Sequence, residues 1–188
     1  MPAYAGMTSF PRKRESRKLR RRNYAHASSK HTVAVGVGPG MRFLILHVNS
    51  FCCTVTTKGR SKVYEEYDDP VTRVDEALIV LASVERGDER APDLVARRAS
   101  SEIVKLAAQL KVTAVVLHPF AHLFGELSAP EGAIDVLSRT QQELVNAGLR
   151  SYRTPFGWFN TLQLDAKGHP LSRVARIVTA EKEHSPKQ

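Results

Sequence analysis

The chain has 188 residues, of which 42% are hydrophobic, and a mean hydropathy of −0.29. It is therefore long enough for one well-packed domain and too short for two large ones. No apolar run approaches the roughly 20 residues of a membrane-spanning helix, so we expect no membrane partner. The two cysteines, Cys52 and Cys53, are adjacent and suggest no disulfide framework, and no secretory signal follows the basic N-terminus, so we expect a cytoplasmic protein.

The net charge of +9 is unevenly distributed along the chain. Residues 1–40 hold nine of the 28 basic residues and one of the 19 acidic residues, which leaves 19 basic and 18 acidic residues in 41–188. The near absence of apolar periodicity in residues 1–40, with their Pro, Ser, Gly and Arg, predicts a disordered basic extension that could hold RNA. Because Met41 opens the first convincing strand, we favour a mis-called start codon over a functional arm. Residues 181–188 are expected to form a polar tail.

The apolar patterns predict a mixed α/β domain with two main helices over residues 41–180. A helix is expected at residues 92–110, with Pro92 in its first turn, and a second from Ser128 as N-cap, with Glu131 completing a capping box, to Gly148. Strands are expected at residues 42–49, 51–57, 77–84, 111–117, 149–154, 158–165 and 174–178, with a hairpin extension at 62–67.

The segment from Val115 to Leu123 is the strongest candidate for function. Its apolar start predicts a strand buried on both faces, which Pro119 ends, and the following loop carries His118 and His122. Loops at the ends of buried strands are where α/β folds usually place their chemistry. The two histidines have the spacing of a helical zinc pair, but Pro119 argues against a helix and no third ligand stands out, so no metal is expected.

Other motifs decide less when taken alone. The aromatic cluster at residues 155–159 is more often part of a core than a base-stacking platform, and Ser83 after an apolar strand is uninformative by itself. No Ser-His-Asp arrangement in a nucleophile elbow is present.

A series of short motifs, in order and at consistent spacing, carries a family resemblance. Residues 41 to about 180 resemble the N-terminal editing domain of archaeal-type threonyl-tRNA synthetase. The motifs are MRFLILH at 41–47, LASVER at 81–86, HPFAHL at 118–123 followed by GEL and AP, GAIDVLSR at 132–139, PFGWF at 155–159 and KGHPL at 167–171.

The resemblance implies a D-aminoacyl-tRNA deacylase-like fold, a mixed sheet or barrel, that usually forms a homodimer. It also implies hydrolysis of serine mistakenly esterified to threonine tRNA. Serine lacks one methyl group of threonine, which a synthetic site discriminates by only about 1–3 kcal/mol, so a second, hydrolytic site is needed. In this family backbone groups bind the amino acid and the 2′-hydroxyl of the terminal ribose helps to position water, so we expect no cofactor.

The resemblance also assigns the site. His122 corresponds to the histidine that lines the pocket and helps to select the amino acid. The residues expected to bind substrate are Ser83, Val84, Pro119, Phe120, Ala121, Phe156, Gly157, Trp158 and Phe159.

Two departures from the family pattern fall within this site. The family usually has lysine where this chain has Asn160, and commonly has an acid where this chain has Arg173. The Asn160 amide can still hold a water molecule. We hypothesise that Arg173 reaches into the pocket and replaces the lost lysine charge, so both join His122 as catalytic candidates.

The expected function is therefore that of an aminoacyl-tRNA deacylase that edits seryl-tRNA(Thr) in trans, and the chain is either a freestanding module or a fragment. Its expected partners are the aminoacylated 3′ end of tRNA(Thr) and a separate threonyl-tRNA synthetase. The alternatives are a non-catalytic module that binds tRNA or the synthetase, and a deacylase with altered preference, for example for D-amino acids.

Overall fold

The computed structural model describes residues 40–123 and 125–180. The predicted tail at 181–188 and all but the last residue of the predicted extension lie outside this range. The strands are β1 (Met41–Lys58), β2 (Val71–Ser83), β3 (Ala114–Pro119), β4 (Arg150–Arg153), β5 (Trp158–Ala166) and β6 (Arg173–Val178). The helices are α1 (Pro92–Leu110) and α2 (Pro130–Asn146), and a short 3-10 helix spans Arg86–Arg90.

The six strands form one mixed sheet in the order β4-β3-β2-β1-β5, and β6 also pairs with β1. Strands β2, β3 and β4 are parallel, and α1 and α2 supply the crossover connections that parallel neighbours require. The other edge of β1 pairs with β6 over residues 41–46 and with β5 over residues 48–58. The predicted fold class, a mixed α/β sheet with two main helices, is confirmed.

Two apolar clusters form the core, one on each face of the sheet. Val80 and Leu117 pack with α1 and α2 in the first cluster, whereas Ile79 and Val116 belong to the second. Neighbouring residues of β2 and β3 thus alternate between the clusters, and both strands are buried on both faces. This confirms the expectation for β3 and holds its C-terminal end firmly in place.

Strand β1 is continuous, which corrects the prediction of separate strands at 42–49 and 51–57. Its pairing with β5 shifts register between Val48 and Ser50, as at a β-bulge. At the same level on the neighbouring strand β2, Glu76 has a φ of +43°. Leu46 and Val48 face the second cluster before the bulge, and Phe51 faces it afterwards. The extra residue therefore reverses the alternation of the side chains, which produces the break that the sequence suggested.

Two further local predictions need correction. Residues 59–70 form no strand, so the hairpin extension expected at 62–67 is absent and β2 begins instead at Val71. The N-cap of α2 is Ala129, not Ser128, and the Glu89 carboxylate accepts a hydrogen bond from the Ala129 amide at 2.7 Å. A side chain from a neighbouring element thus does the capping that a local box was expected to do. Helix α1 begins and ends where predicted.

Within residues 40–123 and 125–180, neither α1 nor α2 has both the length and the apolar character required to cross a membrane.

Candidate active site

A cleft of about 700 Å³ lies where the ends of β2 and β3 face the beginning of β5. We call residues 82–84 and 118–122 the first wall, and residues 59–61 and 155–162 the second wall. Between them the walls contribute most of the lining side chains, and the remainder come from Leu127, Ser128, Ala133 and Leu137.

The first wall is fixed by hydrogen bonds between the end of β2 and the loop after β3. The Phe120 amide donates to the Ala82 carbonyl at 2.8 Å, and the Ser83 hydroxyl donates to the Phe120 carbonyl. His122 lies two residues further along the loop, with its ring in edge contact with the Phe120 ring at 5.2 Å between centroids. His122 is solvent-exposed, so it can meet a ligand that enters the cleft.

His118 differs from His122 in its environment. It is buried, and its Nδ1 lies 2.8 Å from the Thr154 hydroxyl. Burial lowers the pKa of His118 to about 4, because a charged imidazolium would lose its hydration there. At neutral pH the ring is therefore uncharged, and its contact with Thr154 links β3 to the segment after β4.

The turn at residues 155–158 of the second wall is held by the loop at residues 59–70. Gly157 adopts a φ of +88°, and its carbonyl accepts a hydrogen bond from the Gly59 amide at 2.8 Å. The Phe156 amide donates to the Glu65 carboxylate at 3.0 Å, and Trp158 Nε1 donates to the Glu65 carbonyl at 2.7 Å. The Glu65 carboxylate also pairs with Arg153. One loop residue thus ties both flanks of the turn.

Comparison with known families shows to which family the domain that contains this cleft belongs. The family model described as the Archaea-specific editing domain of threonyl-tRNA synthetase matches residues 41–178. The chain belongs to this editing-domain family. The resemblance seen in the sequence motifs is thereby confirmed.

The curated relatives agree with this assignment. The editing domain is 37% identical over 143 residues to a threonine–tRNA ligase of Methanobrevibacter smithii. The aligned region covers 75% of this chain and 23% of the relative. It is 38% identical over 143 residues to the ligase of Methanocaldococcus jannaschii, with 76% and 23% covered. For Methanopyrus kandleri the identity is 37% over 143 residues, with 75% and 22% covered. The chain thus spans about a quarter of the length of these relatives.

The fold brings nearly all of the predicted site residues to the cleft of the editing domain. Those that line it are Ser83, Val84, Pro119, Phe120, Ala121, His122, Phe156, Gly157, Trp158, Phe159 and Asn160. Asn160 is half-buried on β5, where its amide nitrogen lies 3.4 Å from the Trp158 carbonyl oxygen. Their individual roles in binding or catalysis stay predictions.

Arg173 is the exception, and its expected position is corrected. It begins β6, where it pairs with Leu46 of β1, and its side chain is exposed outside the cleft. The segment after β5 returns to the edge of β1, where Arg173 pairs with Leu46 and does not line the cleft. Arg173 therefore does not replace the lysine charge in this structure.

The sequence also left some lining residues unassigned. Arg60 and Ser61 reach the cleft because the Gly59 amide is bonded to Gly157, almost 100 positions later. No local pattern marks such a contact, since residues 59–70 lack regular structure. His118 was seen as half of a histidine pair, and its burial separates it from His122.

Among the described residues, no group of three or more histidine, cysteine or acidic side chains is arranged to hold a metal ion.

Proposed function

We propose that this editing domain hydrolyses the ester of serine mistakenly attached to tRNA(Thr). The observation that carries the proposal is that one cleft is lined by both the HPFAH segment, residues 118–122, and the PFGWF segment, residues 155–159. These segments are 33 or more residues apart in the chain, and both are motifs on which the family resemblance depends.

The first wall suits the binding of a small amino acid. Its backbone is fixed by the hydrogen bonds between Phe120, Ala82 and Ser83, so a pocket beside it can keep its shape. A pocket of fixed shape can reject the extra methyl of threonine by steric overlap, whereas attraction alone distinguishes the two amino acids weakly. We expect this wall to set the preference for serine.

The chemistry requires water at the ester carbonyl and stabilisation of the oxyanion that forms. In our proposal the 2′-hydroxyl of the terminal ribose positions that water, His122 orients the aminoacyl group and the Asn160 amide holds the water. His118 is uncharged at neutral pH and does not act as an acid, because its pKa is lowered by burial to about 4. Its place between β3 and Thr154 makes it a support for the loop.

The direct test is deacylation of seryl-tRNA(Thr) and threonyl-tRNA(Thr) by the 188-residue chain, with buffer alone as control. We expect faster loss of serine than of threonine, and a rate at least about tenfold lower for His122→Ala, since positioned side chains contribute at this scale or more. Hydrolysis of neither ester above the buffer rate would refute the proposal.

One observation favours a second candidate, a tRNA-binding module without catalysis. The family lysine is replaced by Asn160, and Arg173 lies outside the cleft, so neither supplies the missing charge. Such a module would bind tRNA(Thr) and leave both esters intact. Asn160→Lys separates the candidates further, because a module that lost only this charge should gain hydrolysis.

A homodimer, a cytoplasmic location and a separate threonyl-tRNA synthetase as partner belong to the same proposal and stay predictions.

A further inference from the structure

The charges that line the cleft are few. Among its described lining residues, Arg60 is the one permanently charged side chain, and no carboxylate is present. Two histidines also line it, and burial lowers the pKa of His118 to about 4, so His118 adds no charge at pH 7. The permanent charge of the cleft lining is therefore positive and comes from Arg60, although residues 41–188 as a whole are nearly neutral. A nearly neutral domain whose cleft carries an unopposed cation favours an anionic ligand at that place.

The backbone places Arg60 at the second wall with little freedom. The preceding residue, Gly59, approaches Gly157 so closely that an added Cβ would lie 2.7 Å from the Gly157 carbonyl oxygen. A few residues further on, the Glu65 amide donates to the Phe156 carbonyl at 3.0 Å. The loop is thus held against the cleft on both sides of Arg60.

The side chain of Arg60 is exposed, and within residues 40–123 and 125–180 its guanidinium has no hydrogen bond and no ion pair. Two nearby cations differ in this respect. The Lys58 ammonium lies 3.2 Å from the centre of the Tyr64 ring, and Arg153 pairs with Glu65. Arg60 therefore keeps its donors available to a ligand.

We propose that Arg60 binds a phosphate group at the 3′ end of the tRNA, a step that rests on the proposed function. The aminoacyl ester is attached to the terminal ribose, so only that sugar separates the ester from the nearest phosphate of the chain. With the ester inside the cleft, we expect this phosphate within reach of Arg60, which lines the cleft with an exposed side chain. A guanidinium matches a phosphate with two parallel hydrogen bonds, which fixes its orientation as well as its position.

This role differs from that of the missing family lysine. A phosphate contact is made equally in the bound substrate and in the transition state, so it lowers KM and leaves kcat unchanged. Arg60 is thus a substrate-binding residue, and its loss should be visible in affinity and in the dependence of affinity on salt.

The test compares Arg60→Ala and Arg60→Lys with the unchanged 188-residue chain. Arg73→Ala is the matched control, since Arg73 is an exposed arginine of β2 that does not line the cleft. Binding of uncharged tRNA(Thr) is measured between 50 and 200 mM salt, roughly the range where phosphate contacts dominate. Deacylation of seryl-tRNA(Thr) gives kcat and KM separately.

We expect Arg60→Ala to weaken tRNA binding and raise KM by about tenfold, with kcat unchanged. The slope of log K against log salt should fall by about 0.7, the value for one phosphate contact on a single strand. Arg60→Lys should keep most of the salt slope, because its positive charge remains. Its affinity for tRNA should fall about twofold, because lysine cannot form the two parallel hydrogen bonds of a guanidinium. Arg73→Ala should match the unchanged chain. The basic residues 1–40 are present in every variant, so their contribution cancels in the comparison.

Three results would overturn the proposal: a slope for Arg60→Ala equal to that of the unchanged chain, no tRNA binding by the unchanged chain, or a fall in kcat at constant KM. A different result separates it from the proposed function. If tRNA binds with a slope that depends on Arg60 but neither ester is hydrolysed, the deacylase proposal fails and the phosphate contact stands.

Discussion

The two walls of the cleft are built in different ways. The first wall continues β2 and β3, which are buried on both faces, and its loop is bonded directly to the end of β2. The second wall begins β5, a mostly exposed strand at the edge of the sheet, and it is completed by a loop without regular structure. Phe159 at its rim is 56% exposed.

This difference suggests separate roles for the two walls, selection of the amino acid by the first and entry of the tRNA end past the second. Local stability follows burial, so the buried strand ends that carry the first wall should open only with the whole domain, whereas the second wall depends on a few polar contacts. A fixed wall suits discrimination by one methyl group, and an open wall suits the entry of a tRNA end. The following predictions test that division, beginning with the largest expected effect.

The second wall should fail most severely at Gly157. Its φ is +88°, and an added Cβ would lie 2.8 Å from both the Val63 carbonyl oxygen and the Tyr64 Cβ. Gly157→Ala should therefore lower the free energy of unfolding by roughly 2–4 kcal/mol, from the left-handed backbone and the overlap together. Urea denaturation measures this loss.

Two other glycines separate these causes. Gly148 has a φ of +85° with nothing within 4 Å of an added Cβ, so Gly148→Ala should cost about 1 kcal/mol from the backbone alone. Gly168 also has open space and lacks the positive φ, so Gly168→Ala should change stability by less than about 0.5 kcal/mol. Equal losses at Gly157 and Gly148 would show that the packing of the loop against the turn is weak.

The first wall should depend on pH through His118. Burial lowers its pKa from 6.5 to about 4, so the unfolded chain binds a proton in that interval and the folded chain does not. The stabilisation is therefore complete above pH 6.5 and is lost as the pH falls towards 4, by up to about 3 kcal/mol. Asp88 acts in the opposite direction, because burial raises its pKa to about 6.

His118→Asn isolates this contribution, since asparagine can still bond to Thr154 and does not titrate. Unfolding by urea at several pH values between 4.5 and 7.5 gives the difference between the two proteins. We expect that difference to grow with pH and to level off above pH 6.5. Parallel curves would show that His118 is not buried in an uncharged form.

The polar support of the second wall can be weakened without a steric change. Glu65→Gln keeps the size of the side chain but removes its charge from the Arg153 pair and the Phe156 amide. We expect a loss of about 1–2 kcal/mol in unfolding free energy and a higher KM with unchanged kcat. Glu66→Gln is the control, since Glu66 is exposed and forms no ion pair or hydrogen bond within the described segments. Equal behaviour of the two variants would mean that Glu65 does not hold the turn.

The sequence was most informative where structure is local. The apolar run before Pro119 predicted β3, and the stripe after Pro92 predicted α1 with its ends. The part of the first wall that follows β3 could be inferred from the end of that strand. The second wall could not be assembled in full, because the contact between Gly59 and Gly157 joins distant segments and leaves no periodic signal. The continuity of β1 was missed for a related reason, since its bulge reverses the burial pattern.

The position of Arg173 shows that a match to a family motif does not by itself place a residue in the cleft. Its place in the family pattern suggested a pocket residue, yet Arg173 is exposed at the start of β6 and does not line the cleft. Arg173→Ala should therefore leave kcat/KM for seryl-tRNA(Thr) within about twofold, since isolated surface substitutions change energies by less than about 0.5 kcal/mol. His122→Ala, measured in parallel, should lower the rate at least about tenfold. If both variants lost activity to the same degree, the tRNA would have to bring β6 and the cleft together, and the functional site would extend beyond the two walls.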